Sequence, residues 1–122
     1  MRRAAVVSLV VGMAALLGAC TTVDVADAPV VPATADGSTD ELLAAGRTVW
    51  IASCARCHGA AGGGGAGPRL TGDGVLERYP TAAAMEAMVA KGRGGMPAFG
   101  SRLEPAEIEA VVAYVRTLIA SP

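Results

Sequence analysis

One short motif constrains the fold of this chain more than any other feature. The only histidine, His58, directly follows the second cysteine of the sequence Cys54-Ala55-Arg56-Cys57-His58. On a helical turn, thiols three residues apart lie on one face and can both form thioethers with the vinyl groups of one porphyrin. The imidazole that follows is then directed under the ring, where one of its nitrogens can bind iron. The motif therefore predicts one covalently attached haem c, held by Cys54, Cys57 and His58.

Other uses of a cysteine pair agree less well with the rest of the sequence. A thioredoxin-type dithiol would need a βαβ context, and the chain shows no strand-like alternation. A structural zinc site needs four ligands, and there is neither a second histidine nor a second Cys-x-x-Cys pair. A disulfide alone would leave a poor core, because hydrophobic residues reach 52% of the chain but aromatic residues only 3%. A bound haem would supply the missing apolar bulk.

Length and charge exclude further classes of function. A chain of 122 residues forms at most one small domain. Its 10 Lys and Arg against 11 Asp and Glu give a net charge of -1, without a basic tract. Because phosphate binding needs a concentrated positive surface, we expect no nucleic-acid partner.

The amino-terminal segment is typical of an export signal. Arg2 and Arg3 precede an uncharged run over residues 4–19, which is shorter than the roughly 20 residues of a membrane-spanning helix. Its end, Leu17-Gly18-Ala19-Cys20, resembles the lipobox of bacterial lipoproteins, in which the cysteine is acylated and becomes the new amino terminus. We therefore expect a lipoprotein signal peptide over residues 1–19 and lipidation of Cys20. The alternative is an ordinary signal that ends near a cysteine by coincidence.

Residues 20–37 are expected to form the lipidated cysteine and a flexible tether. After Cys20 this segment carries three prolines or glycines and three acids without a base, and it shows no helical or alternating period. A flexible chain of this length has an average reach of about 20 to 25 Å, so an anchored domain could swing over a membrane surface. A disordered leader with no role in spacing is the alternative.

Residues 38–122 are expected to form the folded domain, bounded by two helices. Ser38-Thr39-Asp40-Glu41 fits a capping box, so a first helix should begin near Thr39 and run to about Ala52. The acids and the proline of Glu104-Pro105-Ala106-Glu107 indicate the start of a last helix, whose apolar stripe continues to Ile119.

The middle of this domain is expected to be less regular. A third helix is predicted over residues 81–90, with Thr81 as its cap and Gly92 at its end. The connection over residues 59–80 contains eight glycines and two prolines, so it should be an irregular loop. A loop that long in so small a domain usually wraps a bound group.

From about Asp40 to Ile119 the sequence resembles the class I, single-haem cytochromes c. Besides the haem motif, Gly46 and Trp50 stand where that family has a glycine and an aromatic residue on its first helix, and Tyr114 stands at the partner aromatic position. The resemblance implies an all-α, small cytochrome c fold. Its crossed N- and C-terminal helices would wrap around one covalently bound haem.

The second iron ligand is expected to be a methionine, since no second histidine exists. Met85 and Met88 lie within a predicted helix at a spacing typical of core residues. Met96 lies in Gly94-Gly95-Met96-Pro97-Ala98-Phe99, where glycines allow the backbone to approach a flat ligand closely. The same segment resembles the family segment whose methionine binds iron, so the resemblance implies that Met96 does so here.

The resemblance also implies two residues that support the haem. In Gly67-Pro68-Arg69-Leu70, the carbonyl of Pro68 would accept a hydrogen bond from the second nitrogen of His58, and Leu70 would line the haem pocket.

Charge gives a first indication of the partners. Residues 56–102 carry six bases and three acids, an excess of +3 before any haem propionates are counted. These bases would either attract an acidic redox partner or neutralise the propionates, and the sequence leaves both interpretations open.

Together these features predict a membrane-anchored electron carrier. We expect it to be exported, to face the periplasm or the cell exterior, and to pass single electrons between redox proteins, with no enzymatic activity and no small-molecule substrate. The main alternative is a cytochrome subunit or dedicated electron acceptor of an exported dehydrogenase. A peroxidase would need an open iron position and a distal acid or base, and a gas sensor would need displacement of Met96.

Overall fold

The computed structural model describes residues 24–121, so the predicted signal peptide and Cys20 lie outside the described residues. Within that range the structure is helical and has no β-strand, only two isolated β-bridges, Ala33 with Thr39 and Arg93 with Met96. This confirms the all-α prediction. The α-helices are α1 (Glu41–Val49), α2 (Ala55–His58), α3 (Gly74–Arg78), α4 (Ala82–Lys91) and α5 (Pro105–Tyr114).

The first helix continues through the haem motif, further than the sequence predicted. After α1 the backbone forms a π-helical turn over Trp50–Cys54, and α2 then follows without a break. At the other end the N-cap is Asp40, whose carboxylate accepts a hydrogen bond from the backbone N–H of Leu43 at 3.0 Å. The helix therefore begins after Asp40 rather than near Thr39, because the carboxylate satisfies a free N–H of the first turn.

The terminal helices α1 and α5 pack directly against each other at Gly46. A Cβ atom on Gly46 would overlap the backbone of Ala110 and would lie 2.7 Å from Cβ of Tyr114. Only glycine permits this approach of the two backbones. Beside the contact, Trp50 and Tyr114 are fully buried, with ring centroids 6.3 Å apart.

The remaining predicted helices are also present. Thr81 caps α4 by accepting a hydrogen bond from the backbone N–H of Ala84. At the start of α5, Glu104 and Glu107 form a capping box around a proline. Beyond α5 the apolar stripe continues as a second π-helical turn over Val115–Ile119. The long glycine-rich connection is irregular except for α3, which is too short for a periodic pattern to reveal.

The segment predicted as a flexible tether contacts the domain. It forms a short 3-10 turn over Val25–Asp27, after which Ala28 is only 1% exposed. This differs from the expectation of a flexible chain throughout residues 20–37. The apolar periodicity of the sequence could not reveal this contact. It depends on hydrogen bonds to the backbone carbonyls of Ala28 and Pro29 rather than on an apolar stripe.

No helix between residues 24 and 121 is long and apolar enough to cross a lipid bilayer.

Candidate haem-binding site

The haem motif lies at the carboxyl end of the first helix, on the wall of a large cavity. The π-helical turn Trp50–Cys54 precedes the motif, and α2 then carries Cys57 and His58. The cavity has a volume of about 1300 Å³. All of the candidate residues line it: Cys54, Cys57, His58, Pro68, Leu70 and Met96. The folding of the chain therefore brings every predicted haem contact to one place.

Both cysteines of the motif are partly buried, and no disulfide joins them. Burial raises the pKa of the Cys54 thiol to about 11, and the nearby Cys57 adds to the increase. Because the two thiols are separated by one helical turn, they lie on the same side of the helix. This is the arrangement that thioether attachment to one porphyrin requires.

His58 is buried, and its ring is held by a hydrogen bond. Nδ1 lies 2.8 Å from the backbone carbonyl oxygen of Pro68. Since a carbonyl can only accept, Nδ1 donates its proton, and the lone pair remains on Nε2. The structure thus brings His58 and Pro68 together as the resemblance implied, and it leaves one imidazole nitrogen available to a metal.

Gly67 is a site residue that sequence reasoning missed. Its backbone N–H donates to the carbonyl of Cys57 at 2.7 Å. A Cβ atom on Gly67 would lie 3.0 Å from both Cε1 and Nδ1 of His58, closer than side chains normally pack. The surrounding run of glycines hides this position in the sequence, and only its place directly before Pro68 could have indicated it.

Trp50 completes the support of His58 from the helix side. The two rings are stacked, with centroids 6.2 Å apart and an angle of 29° between their planes. The indole Nε1 donates to the carbonyl of Ala60 at 2.8 Å, which ties the start of the glycine-rich loop to the helix. A fully buried donor thus has its partner, and the ring cannot shift without losing it.

Met96 lies in a tight turn that follows α4. The backbones of Arg93 and Met96 exchange two hydrogen bonds, of 3.1 and 2.9 Å. Gly92, at φ +72°, lets this turn fold back closely, because a Cβ there would lie 2.6 Å from the carbonyl oxygen of Met96. Met85 and Met88 line the same cavity from α4, so three methionines face the site.

The connection between α2 and α4 is held by a further side chain, which the sequence did not indicate. Arg116 donates to the backbone carbonyls of Tyr79 and Pro80, at 2.7 and 3.1 Å. Tyr79 is a cavity residue, so the last helix fixes this wall of the site.

The charged residues that line the cavity are all arginines. All are exposed, and no Asp or Glu is among the cavity-lining residues of the described chain. They are Arg56, Arg69, Arg78, Arg93 and Arg102. Most of the remaining lining is apolar, including Val89, Val111 and Val112.

These residues fit a haem. The apolar walls suit a porphyrin, the arginines suit its two propionates, and the donor set of two thiols, one oriented imidazole and a thioether suits covalent attachment and iron binding. Within residues 24–121 no cluster of three or more His, Cys, Asp or Glu side chains offers an alternative metal site.

An all-α fold with contacting terminal helices and one Cys-x-x-Cys-His cavity defines a class I monohaem cytochrome c, which carries one covalently bound haem c. Residues 41–115 match the family model described as cytochrome c oxidase, cbb3-type, subunit III, and the chain belongs to this family.

Individual relatives agree with this classification. The chain is 39% identical to cytochrome c6 of Anabaena variabilis over 72 residues, which cover 57% of this chain and 84% of that protein. It is 40% identical over 76 residues to the cbb3-type cytochrome c oxidase subunit FixP of Azorhizobium caulinodans, covering 60% of this chain but only 26% of that protein.

Solved structures show the same fold. Cytochrome cL of Methylophaga aminisulfidivorans superposes with a TM-score of 0.61 at 26% identity, covering 67% of this chain and 56% of that one. Cytochrome c6 of the diatom Phaeodactylum tricornutum gives a TM-score of 0.53 at 37% identity, covering 60% of this chain and 88% of that one. The chain thus spans about a quarter of FixP and just over half of cytochrome cL.

Replacement of Gly67 should destabilise the site through His58. In Gly67→Ala the new methyl group presses on the imidazole, so the free energy of unfolding of the haem-containing protein should fall by about 1 to 3 kcal/mol. Denaturant unfolding followed by haem absorbance and by helical circular dichroism measures the change.

Gly63→Ala is the matched control for this substitution. Gly63 lies in the same loop, its Cβ would meet nothing within 4 Å, and its φ is not positive. Its effect should stay within about 0.5 kcal/mol. Equal losses in the two variants would contradict the role of Gly67.

Proposed function

We propose that this protein is a single-electron carrier, anchored to a membrane through lipidated Cys20, that passes electrons between exported redox proteins. The observation that carries the proposal is that His58 and Met96 line the same haem-sized cavity. Bound there, the haem supplies a one-electron change at its iron, and histidine with methionine ligation raises the potential of that change.

The chain's own residues favour transfer over catalysis. If His58 and Met96 both held the iron, the protein itself would supply both of these ligands, and no coordination site would be left for a substrate. His58 is the only histidine in the chain, and no carboxylate is found among the described cavity-lining residues. A peroxidase would need such a group as its distal acid or base.

Among the three methionines, Met96 is the best candidate ligand. Met85 is 3% exposed and lies in α4 with Val89, where it belongs to the hydrophobic core. Met96 is presented by a turn that Gly92 holds against α4. A ligand fixed by its backbone needs little rearrangement between oxidation states, which suits an electron carrier.

The exposed arginines around the cavity favour a redox partner with an acidic surface. We define the arginine rim as the five exposed cavity arginines: Arg56, Arg69, Arg78, Arg93 and Arg102. Within the described residues none of their guanidinium groups donates a hydrogen bond, whereas those of Arg47 and Arg116 do. Two haem propionates would neutralise two of the five, so the rim would keep a net positive charge. An acidic surface of a redox partner would complement it.

A second candidate function is that of a cytochrome subunit or dedicated acceptor in a larger redox complex. FixP, a subunit of a cbb3-type cytochrome c oxidase, is similar to this chain over 76 residues, and the matching family model is likewise that of a cbb3-type oxidase subunit. A stable complex with an oxidase or dehydrogenase after detergent extraction would favour this function. A freely exchanging, uncomplexed cytochrome would favour the carrier.

Met96→Ala should open the iron to external ligands. The reduced wild-type protein should bind carbon monoxide poorly, because binding requires displacement of Met96, while the variant should bind it readily and show a lower reduction potential. Absorbance titration with carbon monoxide and a redox titration measure the two effects.

Met88→Ala is the control for the methionine test, since Met88 is half-buried on the same cavity. It should cost stability, at most about 2 to 5 kcal/mol, without changing carbon monoxide binding. Strong binding by the wild type, or by the Met88 variant alone, would contradict Met96 as the ligand.

Neutralising part of the arginine rim should slow electron exchange with anions. In Arg93→Gln with Arg102→Gln, oxidation of the reduced protein by hexacyanoferrate(III) should slow by about tenfold at low ionic strength, because focused charge speeds association. Stopped-flow rates across a range of salt concentrations measure this. Lys91→Gln, a nearby exposed charge outside the cavity lining, is the control. If the wild type, the double variant and the Lys91 variant all react at equal, salt-independent rates, the haem propionates neutralise the charge of the rim.

Cys20→Ala should abolish acylation and leave the protein either unprocessed or free in solution. The expected wild-type product begins at Cys20 and carries acyl chains, since a lipobox directs both events. Intact mass of the purified protein measures this directly. A mature terminus at another residue, without acyl mass, would contradict the lipid anchor.

A further inference from the structure

Two backbone carbonyls near the amino terminus are held by side chains from both terminal helices. Arg47 of α1 donates through Nε to the carbonyl of Pro29 at 3.0 Å and through Nη2 to that of Ala28 at 3.3 Å. Tyr114 of α5 donates its hydroxyl to the same Pro29 carbonyl at 2.6 Å. Three donors thus converge on two consecutive residues, which we call the strap, Ala28–Pro29.

The strap is packed as well as hydrogen-bonded. Ala28 is 1% exposed and belongs to the hydrophobic core, although it precedes α1 by more than ten residues. Burial raises the pKa of the Tyr114 phenol, so the hydroxyl keeps the proton that it donates. A charged donor to a carbonyl is among the stronger hydrogen bonds in proteins.

The chain between the strap and α1 is folded into a closed loop. The backbone N–H of Thr34 donates to the carbonyl of Ser38, and the two hydroxyl groups lie within hydrogen-bond distance of each other. The carboxylate of Asp36 accepts from Thr34 and from Ser38. These bonds lower the pKa of Asp36 to about 2. The loop therefore returns the chain from the strap to the N-cap of α1 in a defined conformation.

The strap lies outside the lining of the haem cavity. The cavity lining begins at Trp50, and no residue from 24 to 49 contributes to it. Arg47 is also unlike the arginines of the rim, because it is half-buried and its guanidinium is committed to the strap. We therefore look for a role of the hydrogen bonds to the strap other than haem binding.

We propose that the strap is a docking device that shortens the membrane tether and holds the face carrying the α1–α5 contact toward the bilayer. The proposal rests on the lipid anchor at Cys20. Ala28 is the eighth residue after Cys20, so the docked domain stays within about 26 to 29 Å of the anchored residue even when the chain is fully extended.

Without docking the domain would range much further. Asp40, the N-cap of α1, is the twentieth residue after Cys20, and a chain of this length spans at most about 66 to 72 Å. The strap thus more than halves the reach of the tether. It also restricts the orientations in which a partner meets the haem cavity.

The first test examines docking without reference to lipid. Hydrogen exchange is measured on the haem-containing full chain for the backbone amides of Ala28, Thr34 and Gly37, which are hydrogen-bonded in the docked segment. Arg47→Ala should raise their exchange rates by about tenfold or more, because the charged hydrogen bonds are lost. Tyr114→Phe keeps the ring and should give a smaller increase at the same amides.

Arg116→Ala is the matched control. Arg116 is likewise half-buried and likewise donates to two consecutive carbonyls, those of Tyr79 and Pro80, on a different part of the domain. It should leave the three amides unchanged. Unchanged exchange in Arg47→Ala and Tyr114→Phe, with an intact haem spectrum, would overturn the strap.

The second test measures distance on a membrane. The lipidated holoprotein is bound to phosphatidylcholine vesicles that carry a fluorescent headgroup, whose emission the haem quenches by energy transfer. Wild type and Arg116→Ala should quench equally, and Arg47→Ala should quench less. Equal quenching by all three would overturn the shortened tether. If the wild type does not bind the vesicles at all, the lipid anchor fails, whereas the exchange experiment still decides whether the strap docks.

Discussion

The close approach of α1 and α5 at Gly46 is the contact on which the rest of the structure depends. With no side chain at this position, the backbone of Ala110 reaches the helix surface, and Tyr114 packs beside Trp50. This places the end of the first helix, with the cysteines and His58, on the same cavity as Val111 and Val112 of α5. A cavity of haem size results from the pairing of two short helices.

From that contact a series of supports leads to His58, the proposed iron ligand. Trp50 stacks on His58 and is tied by its indole N–H to Ala60. The carbonyl of Pro68 accepts a hydrogen bond from the imidazole, and Gly67 leaves just enough room for the ring. Each support removes one freedom of the imidazole, so that a single nitrogen with a defined direction remains for the metal. Such preorganisation is what an electron carrier needs, since its ligands should move little when the charge on iron changes.

Much of this could be predicted from the sequence because it rests on local patterns. The Cys-x-x-Cys-His motif, the apolar stripe of the last helix and the cap at Thr81 are short-range signals. The structure contains the last helix and the Thr81 cap, and the match to cytochromes c supports the haem that the motif predicts. The cavity also gathers Pro68, Leu70 and Met96, the positions implied by the resemblance to class I cytochromes c. The ligand role of Met96 remains a prediction.

What the sequence did not show depends on contacts between distant residues. Gly67 looks like any other glycine of its loop until the ring of His58 is placed beside it. The strap depends on carbonyls of Ala28 and Pro29, and backbone groups leave no trace in a pattern of side chains. The π-helical turn before Cys54 adds to the first helix a distortion that apolar periodicity averages out.

The central claim, that the chain holds its haem between His58 and Met96, is tested most directly by proton NMR of the reduced protein. A methionine methyl group bound to iron lies over the porphyrin ring, so its resonance should be displaced far upfield by the ring current. We expect one such resonance, retained in Met85→Leu and Met88→Leu and lost in Met96→Leu. Its absence from the wild type, or its loss in the Met85 or Met88 variant instead, would contradict the account.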